Sequence, residues 1–405
     1  MLGLLLGAGL ALWVVCLAWN LLNNREAPAV AAAMPFPLRT EPRVSILIPA
    51  RNEAAILATT LPGFLEQDYG NYEVILADDA STDGTGDLAR SFEAKYPRRL
   101  RVIRIADLPP GWVGKTHALH KAFEAASGEW VLATDADIVF HPKALRAGLW
   151  LAERHRAELV SLFAFLECGS FWERLMMPVF GLMLATVFPL RKINDPQSSV
   201  AIASGGYILM RRDSWAGLGG YEAIRGEMID DLNTARRVKH SGRRIFAALT
   251  RDLLRTRMYA SFAEIWEGLR KNAFAAHRFS VVRMLAFIVG SWLTALLPLA
   301  ALTYSLFVLL TAGGEFPPGV GLSGWLILAM SLAQCALSVL LHFLLISFLG
   351  IPWGYALLAP FGSLLYTAIA FDSMLRTLFG AGVSWKLRQY GKPVRGAETQ
   401  SPTGE

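Results

Sequence analysis

The stretch EWVLATDADIV, residues 129–139, decides how this sequence is read. It begins as a short apolar run and ends in alternating carboxylates, Asp135 and Asp137. An apolar run of this length bounded by polar residues reads as a buried strand. The two acids then fall at its carboxyl end. YEVILADDAS (72–81) has the same form and closes on Asp78 and Asp79. RVSILIPA (43–50) and LRVIRIA (100–106) are further β-branched runs. Segments of helical spacing separate them: EAAILATTLPGFLEQ (53–67), TGDLARSFEAKY (85–96), KTHALHKAFEAAS (115–127) and PKALRAGLWLAERH (142–155). Strand–helix alternation of this kind predicts an α/β fold with a mostly parallel, doubly wound sheet. Such sheets bind ligands beyond the carboxyl ends of their strands. Arg51, Asn52, Glu53, Asp78, Asp79, Asp135 and Asp137 all fall at those ends.

The rest of the chain is of another kind. Of its 405 residues 54% are hydrophobic, and the mean hydropathy of +0.38 is too high for an ordinary soluble enzyme. The excess is concentrated in residues 1–22 and 282–380, which are nearly free of charge. Leu2–Leu22 is long enough to cross a bilayer, and its basic flank, Arg25, Arg39 and Arg43, follows it. That order predicts an uncleaved anchor (1–24) with its N-terminus outside and the rest of the chain starting in the cytoplasm. A Pro/Ala-rich linker (25–42), a catalytic-sized α/β domain (43–255) and an amphipathic region (256–283) come next. Within the amphipathic region, aromatic residues alternate with Arg270, Lys271, His277, Arg278 and Arg283. That mixture suits a helix lying on an anionic bilayer surface, or a plain surface helix.

FWERLMMPVFGLMLATVFPL (171–190) is apolar but broken by Glu173, Arg174 and Pro178, so a core or interfacial helix is expected there in place of a span. Apolar segments at 285–312, 323–349 and 354–379 are each long enough to span, with kinks expected at Pro298, Pro352 and Pro360. They fill a region of two or three spans, 284–380, before a basic tail, 381–405. The uncharged-to-acidic linker 313–321 belongs outside and the basic tail inside, which requires an even number of spans after the domain, against three segments counted. Either the last segment is re-entrant or interfacial, or the tail departs from the positive-inside tendency.

Several functions are excluded or disfavoured. The net charge of +6 is modest and sits beside apolar spans, and no zinc spacing or RNA-binding aromatic pattern occurs, so no nucleic-acid partner is expected. The cysteines, Cys16, Cys168 and Cys335, are far apart and form no disulfide or metal pattern. Gly114-Lys115-Thr116 ends like a P-loop, but Pro109 stands where that loop needs its first glycine. His117 and His120 lie one helical turn apart without a third ligand, which favours packing over metal binding.

Alternate carboxylates such as Asp135 and Asp137 at a strand end can turn toward one hard cation, Mg2+ or Mn2+, shared with substrate phosphates. The segments VSILIPARNE, EVILADDASTDGT, GKTHALHKA, GEWVLATDADI, ASGGYILMRRDSW and MIDDLNTARRVKHSG occur in the order seen in glycosyltransferase family 2. The chain resembles that family over about 43–250, which implies a GT-A nucleotide-sugar fold, Rossmann-like, with a mostly parallel sheet. The PPGWVGK insertion and the C-terminal apolar segments look most like the membrane-bound hopene-associated glycosyltransferases, and also resemble membrane transferases acting on carotenoids and ceramides.

The resemblance implies roles by position. Pro49, Ala50, Arg51 and Glu53 match the loop that frames the nucleotide, and Asp78 and Asp79 the acids that hold base and ribose. Lys115 matches a lysine that reaches the diphosphate, and Asp135 and Asp137 match the metal motif, with Asp137 the direct ligand. Gly205, Gly206 and Tyr207 match an acceptor-side loop. Asp230 and Asp231 match the catalytic acid pair, whose second member is the base, so Asp231 is the expected base; here the first acid is Asp where the family has Glu. Glu227 is a secondary candidate, and a plain helix N-terminus is the simpler account of the two acids. The Gln-x-x-Arg-Trp stretch of processive synthases is missing; WEGLRKNAF stands in its region, which favours single-sugar transfer and leaves Arg270 and Lys271 on the acceptor side.

The expected function is therefore an inverting, metal-dependent transfer of one sugar from a UDP-type nucleotide-sugar donor to a membrane lipid acceptor, hopanoid-related, with the domain facing the cytoplasm at a bacterial inner membrane. Transfer to polyprenyl phosphate or to a carotenoid- or ceramide-type lipid is the enzyme alternative. A catalytically silent membrane scaffold is the alternative of another class.

Overall fold

Alternation within single strands builds the centre of the molecule. In β2 (Val44–Ala50), Ile46 and Ile48 face one side of the sheet and Leu47 the other; in β3 (Tyr72–Asp79), Val74 and Leu76 oppose Ile75 and Ala77. Both faces are apolar because both are covered by helices, as a parallel sheet requires. In this computed structural model the described residues are 2–24, 26–277, 279–312, 321–379, 383–385 and 388–390. Arg25, Arg278, nearly all of the 313–321 linker and most of the basic tail lie outside them.

The element order starts with α1 (Leu2–Asn24) and β1 (Ala29–Val30), which precede β2. Then come α2 (Ala54–Leu65), β3, α3 (Thr85–Lys95), β4 (Leu100–Ile105), α4 (Gly114–Ala125), β5 (Trp130–Ala133), β6 (Val139–Phe140), α5 (Ala144–His155), β7 (Leu159–Phe163) and β8 (Phe165–Leu166). They are followed by α6 (Phe171–Val187), α7 (Leu190–Asn194), β9 (Ile208–Arg211), α8 (Arg212–Gly217), α9 (Asp230–His240), β10 (Ile245–Thr250) and β11 (Leu254–Thr256). The main sheet has eight strands in the order β1-β10-β7-β9-β5-β2-β3-β4, all neighbours parallel except β9, which is antiparallel to β5 and β7. Helices α2 and α5 cover one face and α4 and α9 the other. The expected linker is partly built into this domain: Ala29–Val30 pairs with Leu249–Thr250, the Ala32 amide donates to Asp252, and Phe36 is buried in the core.

The remaining elements are α10 (Phe262–Ala276), α11 (Val281–Ser291), α12 (Leu297–Thr311), α13 (Gly321–Leu349), α14 (Ala359–Leu378) and a small hairpin, β12 (Val383–Trp385) with β13 (Arg388–Tyr390). Among the described residues five helical stretches are long and apolar enough to cross a membrane: Leu2–Asn24, Phe171–Asn194, Val281–Thr311, Ser323–Leu349 and Trp353–Leu378. The second of these is the segment whose charges and proline argue for a core or interfacial helix, and its ends explain why both descriptions apply. Ser170 and Glu173 form a reciprocal capping box, and Glu173 also accepts two hydrogen bonds from Arg257 beside the domain. At the other end α7 buries Ile193 in the domain core, and the Asn194 side chain exchanges two hydrogen bonds with Ala247 of β10. Both ends of α6 therefore return to the α/β domain.

The kink expected at Pro298 takes a specific form. Trp292–Leu296 is a π-helical turn joining α11 to α12. Proline has no N–H to offer the carbonyl four residues back, which here is that of Thr294. Trp13 of α1 supplies the missing donor: its indole Nε1 lies 2.7 Å from Thr294 O. Gln334 of α13 donates to Leu6 O on the same helix, and Asn20 and Trp19 bind Thr186 at the end of α6.

Candidate active site

The carboxyl ends of β3, β2 and β5, adjacent in the sheet, bring the acidic loops together. The turn after β2 is laced to the turn after β3. Arg51 Nη1 donates to Asp79 O at 2.7 Å, the Asn52 amide to Ser81 Oγ, the Glu53 amide to Thr85 Oγ1 and the Ala54 amide to Asp83 Oδ2. Asn52 and Ala80 both hold left-handed backbone conformations, at φ 52° and 49°. Such conformations are costly away from glycine and persist where surrounding hydrogen bonds impose them. Asp78 is buried beneath this rim and accepts from the Ser81 amide, whereas Asp79 faces the space above it.

That space is a cavity of about 280 Å³. Pro49, Ala50, Arg51, Glu53, Asp79, Lys115, Asp135, Asp137, Asp230 and Asp231 line it, so most of the residues expected from sequence converge on one site. Lys115, at the first turn of α4, ties the two motif pairs together: its ammonium is 2.8 Å from Asp135 Oδ1 and 3.1 Å from Asp230 Oδ2. Burial favours the neutral amine, but Asp135, Asp230 and Asp231 outweigh it and hold the Lys115 pKa well above its ordinary value. Gly205 lets the backbone pass directly over this cluster; a Cβ there would stand 2.9 Å from Asp135 Oδ2 and 3.2 Å from Lys115 Nζ.

Asp230 and Asp231 open α9, where carboxylates are favoured by the helix dipole. Asp231 Oδ1 accepts from the Leu232 amide at 2.7 Å. Burial first and the Asp230 charge second push its carboxyl up to about 6, against the opposing pull of Lys115. Glu227 is exposed and bonded to Asn233 outside the cavity lining. Asp135 and Asp137 are oxygen donors two residues apart on one wall, a set that fits a hard divalent cation completing its shell on a diphosphate. Among the described residues no group of three or more His, Cys, Asp or Glu side chains is arranged to hold a metal ion by itself.

Two expected site residues face elsewhere. Tyr207 is expected on the acceptor side, but it is fully buried, stacks on Phe140 and donates to Ala144 O, because it sits where the chain enters β9 and its side chain turns to the core face. Arg270 is expected beside Lys271, but it is buried against α14 and pairs with Asp372 at 3.3 Å. Residues two apart on a helix point roughly 200° apart, so the turn that aims Gly268 and Asn272 at the cavity aims Arg270 away from it. Gly206 packs on Ile138. Trp112 packs over His117 and His120, with ring centroids 5.2 and 4.8 Å away, and these histidines serve packing as their spacing predicts.

The wall opposite the strand ends was not expected in full. Met258, Tyr259, Gly268, Lys271 and Asn272 form it. Gly268, Lys271 and Asn272 stand at i, i+3 and i+4 and share one face of α10. A Cβ at Gly268 would clash with the hydroxyl-bearing edge of the Tyr259 ring, so glycine lets this helix pack closely on Tyr259. Burial, followed by the Lys115 charge, lowers the Lys271 pKa. Burial, followed by Asp137, raises that of the Tyr259 phenol.

Comparison with known proteins agrees with this geometry. Residues 45–218 match the model of glycosyl transferase family 2. EpsE of Bacillus subtilis (strain 168), which carries a glycosyltransferase name, is 28% identical over 198 residues, 46% of this chain and 63% of EpsE. YdaM of the same organism, also named as a glycosyltransferase, is 36% identical over 98 residues, 24% of this chain and 23% of YdaM. The chain thus spans less than two thirds of the length of either. Among solved structures, the mannosyltransferase PcManGT from Pyrobaculum calidifontis, in complex with GDP-Man and Mn2+, superposes with a TM-score of 0.53 at 20% identity over 94% of this chain and 99% of its own. Residues 45–218 are thus similar to glycosyl transferase family 2, and the α/β domain that contains them has the GT-A fold, set between apolar helices that precede and follow it.

Proposed function

We propose that the protein is a membrane-bound, inverting glycosyltransferase that moves one sugar from a nucleotide-sugar donor, of UDP type, to a lipid acceptor related to the hopanoids. The observation that carries this reading is the convergence of Asp231, Asp230, Lys115, Asp135 and Asp137 on one cavity at the strand ends of the α/β domain. Arg51 and Asp79 hold the nucleoside end, with Asp78 bracing the turn below. Lys115, poised between two carboxylates, passes its charge to the donor diphosphate. Asp135 and Asp137 would hold a divalent cation, Mg2+ or Mn2+, which neutralises charge on the leaving diphosphate.

Asp231 accepts the proton of the acceptor hydroxyl. The hydroxyl oxygen forms the new bond to the anomeric carbon as the bond from that carbon to the diphosphate oxygen breaks, and the diphosphate leaves with the electron pair. No enzyme nucleophile intervenes, so the anomeric centre inverts. The apolar layer under Tyr259, built from α6, α10 and α14, supports a lipid as acceptor.

The same layer supports a topology. Helix α14 packs on α6 at Gly362, on α11 at Met374 and on α10 through Asp372 and Ser373, and β12 lies beside α10. We read α14, like α6, as lying along the domain side without crossing. Three crossings remain: α1, the α11–α12 stretch and α13. With the domain in the cytoplasm at a bacterial inner membrane, this satisfies both the external linker and a cytoplasmic tail. The test is transfer from radiolabelled UDP- and GDP-sugars with Mn2+ to bacterial polar lipids, analysed by mass spectrometry. A glycolipid formed by the wild type and lost in Asp231→Asn is expected. Full activity of that variant overturns the reading.

A further inference from the structure

Tyr259 stands where two environments meet. Its ring belongs to the apolar cluster that includes Met177, Ile265 and Leu269, between α6, α10 and α14. Its hydroxyl belongs to the cavity. Gly268 packs on the edge of the ring that carries the oxygen, and both residues line the cavity. The hydroxyl makes no hydrogen bond to another described residue, and, unlike the sealed amide oxygen of Asn272 on the same wall, it keeps accessible surface. The charge of Asp137, on the facing wall, acts on it. No other described side chain lining the cavity carries a hydroxyl; the remaining polar ones are carboxylates, Arg51, Lys115, Lys271 and Asn272. Met258 beside it lines the same space and is 39% exposed, so the wall offers an apolar lip next to a neutral donor.

That pairing fits the polar end of a lipid alcohol. An acceptor hydroxyl that gives its proton to Asp231 still has lone pairs to be held, and a fixed donor on one of them sets the line of attack. Ionised carboxylates cannot donate, and Lys115 is engaged by Asp135 and Asp230. A phenol can donate, and burial raises its pKa, so it keeps its own proton and Asp231 alone takes one. We propose that Tyr259 is the acceptor-recognition residue: its hydroxyl donates a hydrogen bond to the attacking oxygen of a lipid alcohol whose hydrocarbon passes over Met258. This rests on the transferase reading and deepens it.

The test uses the full chain in nanodiscs of phosphatidylcholine containing increasing shares of a bacterial polar lipid extract, with Mn2+ and UDP- or GDP-sugars. Tyr259→Phe removes one oxygen and keeps the ring in its apolar cluster. It is expected to raise the share of extract needed for half-maximal transfer by about tenfold. Nucleotide-sugar affinity, measured by calorimetry, is expected to match wild type, which also shows that the variant folds. A lipid dependence equal to that of wild type overturns the assignment. A parallel loss of nucleotide-sugar affinity places the phenol on the donor and overturns it as well. Failure of the wild type to bind any nucleotide sugar overturns the transferase reading itself. Binding without transfer to any lipid of the extract overturns the lipid reading, and this assignment with it.

Discussion

The two walls of the cavity are built on different principles. The strand-end wall takes its residues from the loops after β2, β3 and β5 and from the first turns of α4 and α9, and hydrogen bonds between backbone and side chains lace the turns after β2 and β3 together. The α10 wall takes its residues from one face of a single helix, held from behind by α14 and α6. In the proposed reaction the acids and Lys115 of the first wall carry the chemistry.

The sharpest way to break this contrast is on the strand-end side. Asp231→Asn is expected to reduce transfer by about 10²–10⁴-fold while nucleotide-sugar affinity changes little; an equal loss in affinity would move Asp231 from the reaction to binding. Next, Asp137→Asn is expected to remove the metal dependence of donor binding, seen as a loss of the Mn2+ response in calorimetry. On the α10 side, Asp372→Asn strips the buried Arg270 of its half-buried ion-pair partner and is expected to destabilise the fold by about 1–3 kcal/mol. That loss would appear as a lower unfolding midpoint in detergent, with the nucleotide affinity of the folded fraction preserved.

The smallest effect is one of pH. Asp231 must be ionised to accept a proton, and its carboxyl is pushed up to about 6, so the rate should fall as pH drops through that value. In Asp230→Asn the neighbouring charge is gone and the midpoint should move lower. A midpoint unmoved by that substitution would detach the titration from the pair.

The same contrast explains what the sequence revealed. Acids directly after apolar β-branched runs can only lie at strand ends, so Asp79, Asp135 and Asp137 were readable before any coordinates. Lys115 was readable because it opens the helix after them. Tyr207 was misplaced because adjacency to Gly205 and Gly206 says nothing about which face of β9 a side chain takes. Arg270 was misplaced for the helical counterpart of that reason, a 200° turn relative to its useful neighbours. Charges and a proline in α6 argue for a core or interfacial helix; the stretch is also long and apolar enough to span, and both of its ends are tied to the α/β domain.

The carbonyl that Pro298 leaves free has a consequence for the first helix. By length and hydropathy α1 resembles any anchor, yet it carries an indole that answers one specific vacancy in a partner helix. An apolar segment of equal length taken from another protein would lose the Trp13–Thr294 hydrogen bond, which is hard to replace where water is scarce. The first helix is thus matched to its partner by a specific polar contact as well as by length.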